Sequence, residues 1–216
     1  MDEKVVIFDL DGTLIDTIGD LAAAVERALE EGGFPGHGVE EYRRMVGHGI
    51  RNLVTRALPE GASEETVDSA LKVFKDYYTT HIDVYSRPYP GIHDLLRALS
   101  AEGISIAVVS NKFQEGTETL IRRFFPDITF KRVLGNAPGH PLKPDPEVVF
   151  QVVGQAARAV MVGDSATDIK TARNAGIPAI GVSWGFRPRA DLEIADAVAD
   201  DTGALRELIF SYIHDN

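Results

Sequence analysis

Two aspartates near the N-terminus have a spacing that suits phosphoryl chemistry. Asp9 and Asp11 lie in the segment Asp9-Leu10-Asp11-Gly12-Thr13, at the end of an apolar run. Because residues two apart on an extended strand face the same side, both carboxylates can face one ligand. One carboxylate can attack phosphorus and form an acyl phosphate, while the second protonates the leaving oxygen and then activates water. The same five residues are equally typical of a capped turn, so this segment alone does not indicate phosphoryl chemistry. The case depends on whether other catalytic residues occur elsewhere in the chain.

A second pair of carboxylates suits a metal ion. Asp164 and Asp168, in the sequence GDSATD at residues 163–168, are separated by about one helical turn. Two carboxylates placed in this way can hold a hard cation through oxygen, directly and through water. Helix capping is the alternative, because aspartate and serine at a helix start favour the helix dipole.

Three further polar residues are candidates for binding phosphate oxygens. Ser110 and Asn111 follow an apolar run, where a hydroxyl and backbone N–H groups can cradle a phosphate. Lys143 lies in the sequence PLKPDP, whose three prolines restrict the backbone around it, and a firmly held ammonium is a good phosphate partner. A capping turn and a surface lysine are the simpler alternatives.

The pattern of apolar runs predicts the elements that position these residues. Residues 5–10, 104–109, 159–162 and 179–182 are typical of buried parallel strands, and residues 130–134 are a weaker candidate. Helical patterns at residues 90–101 and 147–156 lead into strands. This alternation predicts an α/β fold with a doubly wound, Rossmann-like parallel sheet. Ligands bind at the carboxyl ends of such strands, where the candidate residues are expected to gather.

An all-helical block interrupts the alternation after the first strand. Residues 20–31, 39–45, 50–58 and 64–83 have helical patterns, and glycine and proline separate them. The predicted organisation is a core domain of residues 1–15 and 86–216, with an inserted α-helical cap domain at residues 16–85.

The composition of the 216-residue chain excludes several classes of protein. A net charge of −11 without a basic stripe argues against nucleic-acid partners and against an anionic membrane surface. The absence of cysteine excludes disulfides, thiolate metal sites and a cysteine nucleophile. No apolar run reaches the length of about 18 residues that a membrane span needs. We therefore expect a cytoplasmic protein that acts on a small phosphorylated metabolite, as a monomer or homodimer.

Taken in order, the four polar segments resemble the motifs of the haloacid dehalogenase superfamily, in its phosphatase branch. The resemblance extends over nearly the whole chain, including the helical insertion. Within the superfamily the chain is most similar to phosphoglycolate phosphatases, through VGHG at residues 46–49, RPYPG at 87–91, KPDP at 143–146 and GVSWG at 181–185. Sister phosphatases share these additional segments, which are therefore less specific than the four motifs.

The resemblance implies roles for the matching residues. Asp9 would be the nucleophile, and Asp11 would be the general acid and base, with its backbone carbonyl on Mg²⁺. Asp164 would complete the Mg²⁺ site, and Asp168 would lie in it or close to its bound water. The implied substrate-binding residues of the core are Thr13, Ser110, Asn111 and Lys143.

Two residues of the insertion are candidates for recognising the leaving group. His48 and Arg51 lie near a glycine-flanked turn and could meet a substrate carboxylate, although a solvated helix start explains them equally well.

The implied reaction is hydrolysis of 2-phosphoglycolate to glycolate and phosphate through an aspartyl-phosphate intermediate. A sugar-phosphate phosphomutase, a pyrophosphatase and a nucleotidase of the same superfamily are alternatives. A phospho-accepting signalling domain is an alternative of a different class. It would carry its accepting aspartate after a later strand, where this chain has Ser110, and it would lack the helical insertion.

Overall fold

The computed structural model describes residues 3–154 and 158–214 of the chain. The strands are β1 (Lys4–Phe8), β2 (Ile15–Asp16), β3 (Arg87–Pro88), β4 (Ser105–Phe113), β5 (Arg132–Asn136), β6 (Arg158–Gly163), β7 (Ala179–Val182) and β8 (Ala197–Ala199). The helices are α1 (Ile18–Gly32), α2 (Val39–Met45), α3 (Ile50–Ala57), α4 (Glu64–Thr80), α5 (Ile92–Ala101), α6 (Gln114–Phe124), α7 (Glu147–Val153), α8 (Ala166–Ala175) and α9 (Thr202–His214). A short 3-10 helix spans Arg189–Leu192.

Six strands form one parallel sheet in the order β5-β4-β1-β6-β7-β8. The chain builds outward from β1 in one direction through β4 and β5, then crosses over and builds in the other through β6, β7 and β8. The predicted doubly wound α/β fold is therefore confirmed. The strand order reverses around β1, and the carboxyl ends of β1, β4 and β6 border the crevice where such sheets bind ligands.

Both faces of the sheet are covered, which explains why its strands are almost continuously apolar. Val5 and Ile7 of β1 belong to a buried cluster to which α7 contributes Val148 and Val152. Their alternating neighbours on β1, Val6 and Phe8, are also fully buried. Helices α5 and α9 pack against β4 and β6, respectively.

Strand β4 differs from the prediction at its carboxyl end. The sequence places Ser110 and Asn111 after the strand, whereas β4 continues to Phe113 and includes both. The pairing between β4 and β5 shifts register between Val109 and Phe113. A register shift of this kind bends a strand and redirects its side chains. Ser110 and Asn111 therefore lie within the strand, at the carboxyl edge of the sheet where ligands are expected to bind.

Other boundaries differ by a few residues. Strand β5 begins two residues later than predicted, and β8 and α9 were not predicted at all. Helix α7 ends at Val153. The last two residues of the predicted helix 147–156 lie outside the described residues.

The chain divides into two compact units, one formed by Met1–Ile15 and Pro88–Asn216 and the other by Asp16–Arg87. The second unit contains α1 to α4. Within it, the buried carboxylate of Asp20 accepts hydrogen bonds from the backbone N–H groups of Tyr85 and Ser86 and from the Ser86 hydroxyl. These bonds tie the end of the insertion to its first helix. None of the described helices combines the length and apolar character needed to cross a membrane.

Candidate active site

Asp9 leaves β1 directly into a tight turn at the carboxyl edge of the sheet. Its backbone N–H donates to the Val162 carbonyl of β6 at 2.9 Å. The Leu10 carbonyl accepts from the N–H groups of residues 13, 14 and 15, which closes the turn. Gly12 has φ = 85°, a conformation that residues with a side chain rarely adopt. A Cβ at this position would also collide with the Asp164 carboxylate, so the turn and that carboxylate are closely packed.

Asp164 follows β6 and is held by a later segment of the chain. The Phe186 backbone N–H donates to its Oδ2 at 2.7 Å. A Cβ on Gly185 would collide with the Asp164 side chain and would lie 2.5 Å from the Gly12 carbonyl oxygen. Burial raises the pKa of Asp164 well above its usual value, and the nearby Asp168 and Asp9 carboxylates raise it further.

Lys143 links two of the carboxylates. Its Nζ lies 2.8 Å from Oδ1 of Asp9 and 2.6 Å from Oδ1 of Asp168, and its side chain is only 2% exposed. Burial lowers the pKa of Lys143, but the two carboxylates outweigh this and raise it above its ordinary value. Lys143 therefore stays an ammonium. The second oxygen of Asp168 accepts hydrogen bonds from the backbone and hydroxyl of Ser165, at the start of α8.

The three buried carboxylates suit a divalent cation. One oxygen each from Asp9, Asp164 and Asp168 lies within 4.8 Å of the others. Burial raises the pKa of Asp9 to about 7, although the Lys143 ammonium lowers it and the Asp168 carboxylate adds to the rise. A single ammonium thus leaves the cluster short of positive charge. Hard divalent cations prefer oxygen ligands, and a bound cation supplies the charge that lets buried acids ionise. These residues fit such an ion.

Asn111 fixes the loop that carries Lys143. Its Oδ1 accepts from the Lys143 backbone N–H at 2.9 Å, and its Nδ2 donates to the Lys143 carbonyl at 3.1 Å. This reciprocal pair anchors the loop to β4. Ser110 is also buried, and its Oγ accepts from the backbone N–H of Lys112 at 3.2 Å.

Asp11 is paired with a buried lysine. The Lys112 Nζ lies 3.2 Å from Oδ1 and 3.4 Å from Oδ2 of Asp11. The Lys112 side chain is 1% exposed, whereas that of Asp11 is 14% exposed. Lys112 was not among the predicted site residues. Its position two residues after Ser110 on a strand, which puts both side chains on one side, was the signal that could have found it.

The remaining predicted residues lie in different surroundings. Thr13 is fully buried and its hydroxyl has no hydrogen-bond partner among the described residues, while its carbonyl accepts from the Trp184 indole at 3.2 Å. His48 and Arg51 belong to the inserted unit. Arg51 lies in the first turn of α3, and its guanidinium is ion-paired with Glu64 and with Asp68, at 2.6 Å from the latter.

A comparison with known protein families shows to which family the chain belongs. The family model for haloacid dehalogenase-like hydrolases matches residues 6–182, which include every predicted core residue of the site. The chain belongs to this family. Together with the relatives below, membership makes it a phosphatase that acts on small phosphorylated substrates.

Several of the similar proteins are described as phosphoglycolate phosphatases. A phosphoglycolate phosphatase of Mesorhizobium japonicum is 36% identical over 198 residues, which cover 88% of this chain and 86% of that protein. A phosphoglycolate phosphatase of Pseudomonas putida is 37% identical over 214 residues, covering 94% and 78%. The crystal structure of a candidate phosphoglycolate phosphatase from Lactobacillus delbrueckii subsp. bulgaricus has a TM-score of 0.88 and 34% identity, covering 97% of this chain and 99% of that one.

Proposed function

We propose that this phosphatase hydrolyses 2-phosphoglycolate to glycolate and phosphate, depends on Mg²⁺, and works through an aspartyl phosphate on Asp9. The observation that carries the mechanism is the position of the Asp9 carboxylate, next to the Lys143 ammonium and within 4.8 Å of the Asp164 and Asp168 carboxylates. The names of the similar phosphatases support the choice of substrate.

Asp9 and Asp164 would hold the cation, with Asp168 beside it and the backbone carbonyl of Asp11 as a further oxygen ligand. When bound, Mg²⁺ would offset the repulsion between a carboxylate and a phosphate dianion and would polarise the phosphoryl oxygens. Lys143 supplies a second, fixed positive charge from the protein itself. Because it is buried and paired with Asp168, it needs no rearrangement when negative charge develops on the phosphoryl group.

In the first step an Asp9 carboxylate oxygen forms a bond to phosphorus. The bond from phosphorus to the ester oxygen breaks, its electron pair goes to that oxygen, and the Asp11 carboxyl group supplies the proton that makes glycolate. In the second step Asp11, now a carboxylate, takes a proton from water as the water oxygen bonds to phosphorus. The phosphorus–Asp9 bond then breaks with its electron pair returning to Asp9, and phosphate is released.

The proposed substrate contacts are those that the sequence predicts. Ser110, Asn111, Thr13 and Lys143 would bind the phosphoryl oxygens or shape their site. The bonds between Asn111 and the backbone of Lys143 support a part in fixing this lysine. His48 and Arg51 would recognise the substrate carboxylate.

A substrate panel tests the proposal. Purified protein is assayed for phosphate release, with Mg²⁺ and with chelator, on 2-phosphoglycolate, ethyl phosphate, pyrophosphate, a nucleoside monophosphate and a hexose phosphate. The expected result is Mg²⁺-dependent release with the highest kcat/KM on 2-phosphoglycolate, and none from the D9N variant. Preference for pyrophosphate or the nucleotide would refute the substrate, and isomerised sugar phosphate without net phosphate release would indicate a mutase. Turnover by D9N would exclude Asp9 as the nucleophile.

A further inference from the structure

Lys112 is a buried cation placed against the proposed general acid. It lies on β4, and its ammonium contacts both carboxylate oxygens of Asp11, at 3.2 and 3.4 Å. The two residues are 101 positions apart in the chain, so the fold and not local sequence creates the pair. At 1% side-chain exposure, Lys112 is shielded from solvent, whereas Asp11 retains 14%.

We propose that Lys112 is a positioning residue for Asp11: it fixes the carboxyl group in the orientation from which it exchanges a proton with the leaving oxygen and with water. This inference rests on the proposed function, because it takes Asp11 as the general acid and base. Lys112 acts through Asp11 and not on the substrate, since its side chain is almost entirely covered.

The turn around Asp11 fixes its backbone but not its side chain. The backbone on both sides of Asp11 is held, since Leu10 accepts the turn hydrogen bonds and the Gly12 N–H donates to the Ile15 carbonyl at 2.9 Å. The remaining freedom of Asp11 is rotation of its side chain. An ammonium in contact with both oxygens restricts that rotation, and so holds the carboxyl group in one orientation.

The consequence depends on the leaving group. An alkoxide such as that of glycolate needs a proton as the phosphorus–oxygen bond breaks, whereas 4-nitrophenolate leaves without one. Loss of a positioned general acid typically costs about 10²-fold to 10⁴-fold. A residue that positions Asp11 is therefore needed for 2-phosphoglycolate and dispensable for the first step on 4-nitrophenyl phosphate.

The test uses single-turnover kinetics of the Mg²⁺-loaded K112M variant. We expect glycolate release from 2-phosphoglycolate to slow by about 10²-fold, while the burst of 4-nitrophenolate keeps a rate close to that of the wild type. The phosphoenzyme should then accumulate, because its hydrolysis also needs Asp11. An equal loss on both substrates would overturn the proposal. The K131M variant, which removes a partly exposed lysine paired with Glu3, is the matched control and should behave as the wild type on both.

If K112M fails to fold because the Asp11 carboxylate loses its ammonium partner, D11N removes that charge and provides the background for the test. If Lys112 works through Asp11, the D11N/K112M variant should be no slower than D11N alone, because effects of residues that act as a unit are not additive. A further loss of tenfold or more would refute the positioning role. D11N also separates the two hypotheses. If D11N shows the leaving-group dependence and K112M does not, only the role of Lys112 fails; wild-type rates in D11N would remove the general acid from the proposed function itself.

Discussion

The ammonium of Lys143 lies 2.8 Å from the carboxylate of Asp9, and both side chains are buried. In the proposed mechanism Asp9 is the nucleophile, so its carboxylate would have to be charged despite burial and would have to be approached by an anionic substrate. Lys143 would contribute to both, together with a bound cation, from a fixed position: its ammonium is paired with Asp168 and its backbone is bonded to Asn111.

Replacing Lys143 by methionine should therefore affect both catalysis and stability. We expect kcat on 2-phosphoglycolate to fall by roughly 10²-fold to 10³-fold, as when one fixed donor to a transition-state oxyanion is removed. Breaking a buried ion pair should also lower the free energy of unfolding by roughly 3–5 kcal/mol. Steady-state kinetics and denaturant titration measure the two effects. K170M, at an exposed lysine of α8, is the control, and a K143M variant with wild-type kcat would contradict the role.

The carboxylate cluster should make the stability of the metal-free protein depend on pH. Burial raises the pKa of Asp9 from 3.8 to about 7 and raises that of Asp164 as well. An acid with a raised pKa in the folded state contributes stability that is complete below its unfolded value and is lost as the pH rises through its folded value. In chelator, the melting temperature should thus be lower at about pH 8 than at about pH 5.5. Mg²⁺ at about 100 times its dissociation constant should add ~2.7 kcal/mol at the higher pH.

The Asp164→Asn variant tests whether this pH dependence of stability comes from the buried carboxylate cluster and not from titration elsewhere in the protein. Asparagine keeps an oxygen that can accept from the Phe186 N–H and removes one buried charge. The metal-free variant should be more stable than the wild type at about pH 8, and Mg²⁺ should no longer raise its melting temperature. Asp76→Asn, at an exposed position of α4, should leave both properties unchanged. If metal-free D164N were less stable than the wild type at this pH, the ionised carboxylate of Asp164 would not be destabilising the metal-free protein.

Gly185 should be required for binding the cation. An added methyl group would meet the Asp164 side chain and lie 2.5 Å from the Gly12 carbonyl oxygen, so Gly185→Ala must displace the carboxylate or the turn. Disturbing a group that orients a metal ligand typically weakens metal binding by about 10-fold to 100-fold, and we expect that loss in a calorimetric Mg²⁺ titration. Gly38→Ala, whose Cβ would meet only an ordinary 3.5 Å contact, is the control. Unchanged Mg²⁺ affinity in folded G185A would show that the close approach has no functional consequence.

The fold could be predicted because buried parallel strands leave a strong local signal. Residues 5–8 and 159–162 are apolar without interruption, and helices cover both faces of the sheet. The carboxyl end of β4 was harder to predict, because the polar residues after Val109 suggest that the strand has already ended. Asn111 remains within the strand because its amide bonds the backbone of Lys143, 32 residues away, and local sequence does not reveal such a partner. Strand β8 was missed because it is only three residues long and lies within an acidic run.

Some site residues could also be predicted from the sequence, whereas the contacts that hold them could not. Asp9 and Asp164 could be located because each follows an apolar strand in a recognisable segment, and the structure brings their carboxylates together. The contacts that hold them were not visible. Lys112 pairs with Asp11 across 101 positions, and the Phe186 N–H reaches Asp164 across 22. Residue type and spacing indicate which groups can react, whereas the groups that orient them come from chain segments that only the fold brings close.

The proposed recognition of the substrate carboxylate by Arg51 can be tested against a purely structural role. Arg51 already pairs with Glu64 and Asp68 on α4, although all three side chains are substantially exposed, so these pairs contribute little to stability. If Arg51 binds the carboxylate, Arg51→Ala should lower kcat/KM on 2-phosphoglycolate by roughly 10-fold to 100-fold and leave that on ethyl phosphate unchanged. Arg56→Ala, at an exposed residue of the same helix, should change neither. Glu64→Gln, which frees the guanidinium from one acid, should strengthen binding of 2-phosphoglycolate. An equal effect of R51A on the two substrates would instead restrict Arg51 to holding α3 against α4.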